Sequence, residues 1–131
     1  MGIVADTNVF LAVAMNAPPK KWLVNATKNS DLAAPAVLPY EIANALSALV
    51  RRKRIEETEA LSIWNAAANI PVELTPVDIA AALSLATHFS LYAYDAFFLQ
   101  CAVERRQPLL SLDERMKRIA LKLGLDVMER R

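Results

Sequence analysis

Three residue types that build many active sites are scarce in this sequence. The 131 residues include one cysteine, one histidine and two glycines. A single cysteine forms no internal disulfide framework, and zinc-binding Cys-x-x-Cys pairs are absent. Gly2 and Gly124 lie far apart, which excludes glycine-rich phosphate loops and the Gly-x-Ser-x-Gly nucleophile turn. One histidine also excludes catalysis by a histidine pair, so carboxylates are the main candidates for a catalytic site.

Long hydrophobic runs and an excess of charge of one sign are also missing. The longest uncharged run in the apolar part, Ile79 to Tyr94, is shorter than the ~20 apolar residues of a membrane helix. Lys and Arg number 15 against 14 Asp and Glu, so the overall charge indicates no particular partner. Residues 1–5 show no secretory signal. We expect a soluble, cytoplasmic protein with no membrane partner and one domain over residues 1–131.

Short apolar segments alternate with longer segments of helical pattern. The clearest helix begins at Pro39 and carries an apolar stripe with the period of an α-helix. The alternation predicts βαβ units, and therefore an α/β fold of three layers, α/β/α, around a central, mainly parallel sheet. The expected strands are Gly2–Ala5, Leu32–Pro35, Pro71–Thr75, Leu109–Leu112 and Leu125–Met128.

Local signals place the ends of three helices. Thr75 followed by Pro76 is typical of an N-cap and first helical position, and this helix is expected to continue to His88. Asp95 is expected to open the next helix. Gly124 is expected at the C-cap of the last one.

Four acidic residues are predicted at one kind of position in this fold. Asp6 and Asp113 directly follow expected strands, Asp95 begins a helix, and Glu41 lies in the first turn of another. Ligands of open α/β sheets bind at the carboxyl ends of strands, beside helix N-termini. Each residue alone is explained by helix capping. Because their neighbours are apolar and an unpaired buried carboxylate is unfavourable, the set favours a site for Mg²⁺ or Mn²⁺.

Four stretches of the sequence resemble the PIN-domain family and, within it, the VapC-type toxins of prokaryotic toxin–antitoxin pairs. Their order, approximate spacing and total length all fit, and together they cover essentially the whole chain. The stretches are Val4-Ala5-Asp6-Thr7-Asn8, Leu38-Pro39-Tyr40-Glu41-Ile42-Ala43-Asn44-Ala45-Leu46, Tyr92-Ala93-Tyr94-Asp95-Ala96 and Pro108-Leu109-Leu110-Ser111-Leu112-Asp113.

The resemblance implies an α/β/α fold and metal-dependent ribonuclease activity. It also implies a homodimer that is silenced by a cognate antitoxin whose tail covers the acidic cleft. The family's acidic residues correspond to Asp6, Glu41, Asp95 and Asp113, and its polar positions beside the metal correspond to Asn8 and Ser111.

The chemistry of RNA hydrolysis suggests a role for each acidic residue. We expect Asp6 and Asp95 to bind Mg²⁺ (or Mn²⁺) directly. Glu41 and Asp113 would either bind a second metal ion or orient the attacking water, and the sequence leaves one or two metals open. A metal-activated water needs no histidine base, which fits a chain with one histidine.

Basic residues that follow Asp113 are candidates for holding RNA phosphates. These are Arg115, Lys117 and Arg118, with Arg115 favoured by its nearness to Asp113. Two alternatives to the ribonuclease toxin stay open: another Mg²⁺-dependent phosphoesterase, and a non-catalytic PIN-like interaction module that works through its apolar surface.

Overall fold

The computed structural model describes residues 2–129, which form four strands and seven helices. The elements in chain order are β1 Gly2–Ala5, α1 Thr7–Ala14, α2 Lys20–Thr27, β2 Asp31–Pro35, α3 Leu38–Arg51, α4 Glu57–Ala68, β3 Glu73–Thr75, α5 Ile79–Phe89, α6 Ala93–Arg105, β4 Leu109–Leu110 and α7 Glu114–Lys122. No helix in this part of the chain is long and apolar enough to cross a membrane.

The four strands form one parallel sheet in the order β3-β2-β1-β4. Val4 of β1 aligns with Ala33 of β2 on one side and with Leu109 of β4 on the other. The chain therefore moves outward from β1 through β2 to β3, and then returns to the opposite side of β1. This reversal makes the gap between the ends of β1 and β4 a topological switch point, where α/β sheets place their ligands.

The helices form two groups around the sheet, which confirms the predicted three-layer α/β/α architecture. Helices α1 to α4 pack with one another, whereas α6 packs against α5 and α7. Helix α6 also lies against β1 and β2. Its residues Phe98, Leu99 and Ala102 have no exposed surface, so this helix is anchored in the core. Burial of its apolar side chains fixes where its N-terminus meets the sheet edge.

Three of the expected strands are shorter than the sequence predicted. Strand β4 contains only Leu109 and Leu110, and β3 begins at Glu73. The expected last strand, Leu125–Met128, is reduced to a single parallel bridge between Leu109 and Val127. Only part of each segment pairs with a neighbouring strand.

The predicted starts of two helices were wrong. Thr75 does not cap α5: it ends β3, paired with Pro35, and the side chain of Asp78 caps the helix by accepting from the Ala81 amide at 3.0 Å. Helix α6 begins at Ala93, so Asp95 lies inside its first turn. At the end of α7, Gly124 has a φ of 81°, the left-handed conformation expected of a C-cap glycine.

Candidate active site at the switch point of the sheet

Asp6 lies where β1 ends and α1 begins. Its backbone amide donates to the Leu110 carbonyl at 2.9 Å, which ties the end of β1 to β4. Its carboxylate Oδ1 accepts from the Thr7 amide at 2.8 Å as the N-cap of α1. Only 5% of the residue is exposed. The sequence folds locally in this way because a buried apolar strand is followed directly by a residue that caps helices well.

A polar network holds the second oxygen of Asp6. The buried Ser111 hydroxyl donates to Asp6 Oδ2 at 2.8 Å, and Asn8 Nδ2 approaches both Asp6 Oδ2 and Ser111 Oγ at 3.3 Å. Asn8 Oδ1 accepts from the Leu112 amide, and Ser111 Oγ accepts from the Asp113 amide, each at 3.0 Å. Three of these bonds join residues more than 100 positions apart, and they fix the loop after β4 against the end of β1.

Glu41 reaches the same region from the first turn of α3. The Thr7 hydroxyl donates to Glu41 Oε2 at 2.6 Å, so the residue beside Asp6 also orients the second carboxylate. Sequence reasoning did not include Thr7 among the site residues. The only signal was its place in the Asp6-Thr7-Asn8 triplet, and local sequence does not show which distant group a hydroxyl will contact.

Asp95 and Asp113 complete the set from α6 and α7. Asp113 is exposed and caps α7, with Oδ1 accepting from the Arg115 amide at 2.9 Å and from the Met116 amide at 3.3 Å. Asp95 is half-buried in the first turn of α6. The two carboxylates are close enough for the Asp113 charge to raise the pKa of Asp95.

The carboxylates perturb one another. Burial raises the pKa of Asp6 to about 6, and the charges of Asp95 and Glu41 add to this effect against the hydrogen bonds from Ser111 and Thr7. Burial, with the nearby Asp95 charge, also raises the pKa of Glu41, although the Thr7 hydrogen bond opposes it. The pKa of Asp95 is raised by burial and by Asp113, and is lowered in part by Arg115.

The same groups are the residues that could hold a metal ion. Within residues 2–129, no three acidic, histidine or cysteine side chains converge closely enough to bind one ion together. The donor types nevertheless fit Mg²⁺ or Mn²⁺, because all four are hard oxygen donors.

The three basic candidates differ in their environments. Lys117 is only 9% exposed, and its ammonium pairs with Glu114 at 3.1 Å and with Glu129 at 3.6 Å. These two ion pairs compete with any contact to RNA, and the role of Lys117 in RNA binding stays a prediction. Arg115 uses its guanidinium to donate to the Phe89 and Ser90 carbonyls at 2.9 and 3.0 Å, and Arg118 is exposed.

The fold and the site together define an α/β protein with an acidic cluster at the switch point of its sheet. Residues 3–122 match the PIN domain family, and this chain belongs to that family. The PIN family is a family of nucleases, so membership supports a nuclease. The sequence has no match among curated proteins.

Three solved structures share the fold along nearly the whole chain. VapBC2 from Rickettsia felis, bound to a DNA fragment from its promoter, has a TM-score of 0.70 and 14% identity, with 98% of each chain covered. FitAcB from Neisseria gonorrhoeae has a TM-score of 0.63 and 17% identity, covering 97% of this chain and 96% of the other. A Pyrobaculum aerophilum protein has a TM-score of 0.68 and 20% identity, covering 95% and 98%.

Proposed function

We propose that this PIN domain is a metal-dependent endoribonuclease and the VapC-type toxin of a toxin–antitoxin pair. The observation that carries the proposal is the burial of Asp6, 5% exposed, beside other carboxylates at the switch point of the sheet. Acids that lie together and raise one another's pKa are typical of catalytic sites. Helix capping alone needs no such concentration of negative charge.

In this proposal Asp6 and Asp95 hold Mg²⁺ or Mn²⁺. Glu41 and Asp113 either hold a second ion or orient the attacking water. A bound divalent cation would lower the pKa of the water that it binds. It would also place positive charge beside the phosphate oxygens. The donor chemistry fits this role, since hard oxygen ligands suit these two ions.

The chain itself supplies a fixed frame for the reaction. Donors from Thr7, Asn8 and Ser111 hold both oxygens of Asp6, so its carboxylate is oriented before any ligand arrives. The Thr7 hydroxyl restrains Glu41 at the same time. A carboxylate with a raised pKa, such as Glu41, is better matched to accept a proton from water near neutral pH than an ordinary one.

The test is cleavage of a labelled RNA in Mg²⁺ or Mn²⁺ by the full chain and by Asp95→Asn. Loss of a partner beside a metal ligand typically lowers activity by 10–100-fold, so loss of a direct ligand should cost at least about 100-fold. Asp31→Asn is the matched control, because Asp31 is an exposed acid at the N-terminal end of β2, whereas the site lies at the carboxyl ends of the strands. Equal cleavage by the wild type and Asp95→Asn would refute the site. A DNA strand of the same sequence tests the preference for RNA.

An antitoxin is the protein partner in this proposal. Two structural neighbours bear the names VapBC2 and FitAcB, which supports a toxin–antitoxin assignment for the shared fold. We expect a small adjacent reading frame whose product carries a tail that covers the acidic site of this protein. Co-expression of that product should abolish RNA cleavage and give a stable complex in size-exclusion chromatography. Full activity in the presence of the co-purified partner would contradict the assignment.

A homodimer is the other assembly in the proposal. Helix α5 exposes Ile79 and Leu83, which are four residues apart and so lie on one face, with 68% and 57% of their surfaces accessible. An exposed apolar face of this kind is typical of a protein interface. Light scattering should give twice the chain mass, and Leu83→Glu should shift it to the monomer. A monomeric wild type would exclude the dimer.

One observation favours the non-catalytic alternative, an interaction module in the cytoplasm. No three ligand side chains in residues 2–129 converge on one point. Thermal unfolding with and without Mn²⁺ separates the two functions, because a ligand that binds only the folded state raises Tm. A Tm that does not respond to Mn²⁺ would favour the interaction module, whereas a rise that Asp95→Asn abolishes would favour the nuclease.

A further inference from the structure

The connection between α3 and α4 carries four consecutive cations, which we name the basic loop. Its residues are Arg51, Arg52, Lys53 and Arg54. All four are exposed, and within residues 2–129 none of their side chains forms an ion pair or a hydrogen bond with another protein group. The acids that follow are used elsewhere, since Glu56 and Glu59 form the capping box of α4. The charge of the basic loop is therefore available to a ligand.

The end of α3 does not need these side chains for its own closure. The Arg54 amide donates to the Leu49 carbonyl and the Lys53 amide donates to the Val50 carbonyl, each at 2.9 Å, so backbone groups satisfy the last turn. Lys53 has a φ of 57°, the left-handed conformation that favours glycine at this position. The helix dipole attracts cations, but Arg51 already supplies one in the last turn. Helix capping alone therefore leaves the other cations unexplained.

Helix α3 connects the basic loop to the acidic site. Glu41 lies in the first turn, and Arg52 follows eleven residues later, about three turns and about 16 Å along the helix axis. Three whole turns bring both residues to the same face. Between them this face carries Ala45 and Ala48, which are half-buried and small. A strand that crosses the acidic site can follow this face to the basic loop.

We propose that the basic loop is a second phosphate-binding site, which holds the sugar–phosphate backbone of RNA about three helical turns away from Glu41. The inference rests on the proposed nuclease function. It adds an attraction that the acidic site lacks, because carboxylates repel phosphates. Close to that site, Arg115 is bonded to backbone carbonyls and Lys117 is paired with carboxylates. Contacts to the backbone are independent of base sequence and weaken as salt is added.

Fluorescence anisotropy of a labelled, unstructured oligoribonucleotide in Mg²⁺ tests this site. The Asp95→Asn background prevents cleavage during the measurement. Because each phosphate contact of a single strand contributes about 0.7 to the slope of log affinity against log salt concentration, Arg52→Gln with Arg54→Gln should lower that slope by about 1.4 and weaken binding by about 25-fold in 0.1 M salt. The matched control is Lys21→Gln with Lys28→Gln, two exposed lysines whose loss changes the net charge equally. Its affinity should stay close to that of the parent.

Lys53→Gly separates phosphate binding from helix capping in one substitution. Glycine adopts the left-handed conformation without strain, so Tm should rise by a few degrees. Affinity for the oligoribonucleotide should fall by about fivefold in 0.1 M salt, because one phosphate contact is lost. Damage to the fold cannot explain a variant that is more stable and binds RNA less well.

Three results would overturn the second site. They are unchanged affinity and salt slope in Arg52→Gln with Arg54→Gln, an equal loss in the lysine control, and unchanged RNA affinity with lost binding of a polyglutamate peptide. The second result would show a general effect of net charge, and the third would assign the basic loop to an acidic protein. Failure of the nuclease function is distinguishable, because the wild type would then leave RNA uncut while anisotropy still reports binding that depends on the basic loop.

Discussion

Replacement of Asp6 by asparagine should remove a pH dependence of stability that the wild type carries. Burial raises the pKa of Asp6 from 3.8 in the unfolded chain to about 6 in the fold. The folded state therefore binds this proton more tightly than the unfolded state does. The stabilising effect of the protonated group is fully present below pH 3.8 and is lost as pH rises through about 6. Asparagine does not titrate, so Asp6→Asn lacks this loss.

The size of the effect follows from the two pKa values. Each tenfold change in an acid equilibrium constant corresponds to about 1.4 kcal/mol, so a rise from 3.8 to about 6 corresponds to about 3 kcal/mol. With 5% of the residue exposed, solvent screening reduces this figure little. Asparagine has an NH2 donor in place of one carboxylate oxygen, so it cannot accept at both of the positions where Thr7 and Ser111 donate to Asp6. The lost hydrogen bond lowers the free energy of unfolding of the variant by an amount that is the same at every pH.

The assay is urea unfolding of the metal-free wild type and Asp6→Asn from pH 4 to pH 7.5. The free energy of unfolding of the wild type should fall by about 2 kcal/mol relative to the variant over this range, because part of the full effect is already lost at pH 4. The control is Asp31→Asn, at an exposed acid, whose free energy of unfolding should change with pH as that of the wild type does. A wild-type-minus-variant difference that stays constant within about 0.5 kcal/mol would refute the idea that burial penalises the charged form of Asp6.

Three further substitutions test other contacts of the site. Ser111→Ala removes a buried hydroxyl bonded to Asp6 and should lower the free energy of unfolding at pH 7 by about 1–3 kcal/mol; an unchanged denaturation midpoint would contradict this. Thr7→Val frees the Glu41 carboxylate and should reduce RNA cleavage by about 10–100-fold while Thr7→Ser retains it; equal activity of Thr7→Val would show that the hydroxyl does not position Glu41. Arg115→Met should cost about 1 kcal/mol of stability through lost bonds to backbone carbonyls. If the slope of log RNA affinity against log salt concentration is instead smaller by about one in that variant, Arg115 contacts a phosphate.

The sequence predicted the sheet and the general position of the acids because both depend on local patterns. Apolar runs such as Gly2–Ala5 become parallel strands, and a parallel strand delivers the residue after it to one edge of the sheet. Asp6 reaches the site by that rule alone. Glu41 and Asp95 follow from helix starts at the same edge, so their approximate location needs no knowledge of side-chain contacts.

The error at one helix start, and the contacts that the sequence did not indicate, arose where the answer depends on tertiary contacts. Thr75 and Pro76 form a good local helix start, but pairing of Thr75 with β2 ends the strand there and moves the cap to Asp78. The pairing of Lys117 with Glu129 joins residues 12 positions apart, beyond the range of helix periodicity. The contact between Thr7 and Glu41 spans 34 positions and depends on how α1 and α3 meet. Local patterns contain no information about such distances.

Capping and metal binding, which compete as explanations of the acids, are compatible in this geometry. Within residues 2–129, Asp6 and Asp113 each accept hydrogen bonds from the backbone amides of their helix start through Oδ1 only. At Asp6 the other oxygen accepts from side chains, and each carboxylate oxygen has two acceptor positions. A carboxylate can therefore stabilise the start of its helix and still offer lone pairs to a cation. The cap also fixes the direction of the carboxylate, so the helix start that explains each residue structurally also orients it for the proposed chemistry.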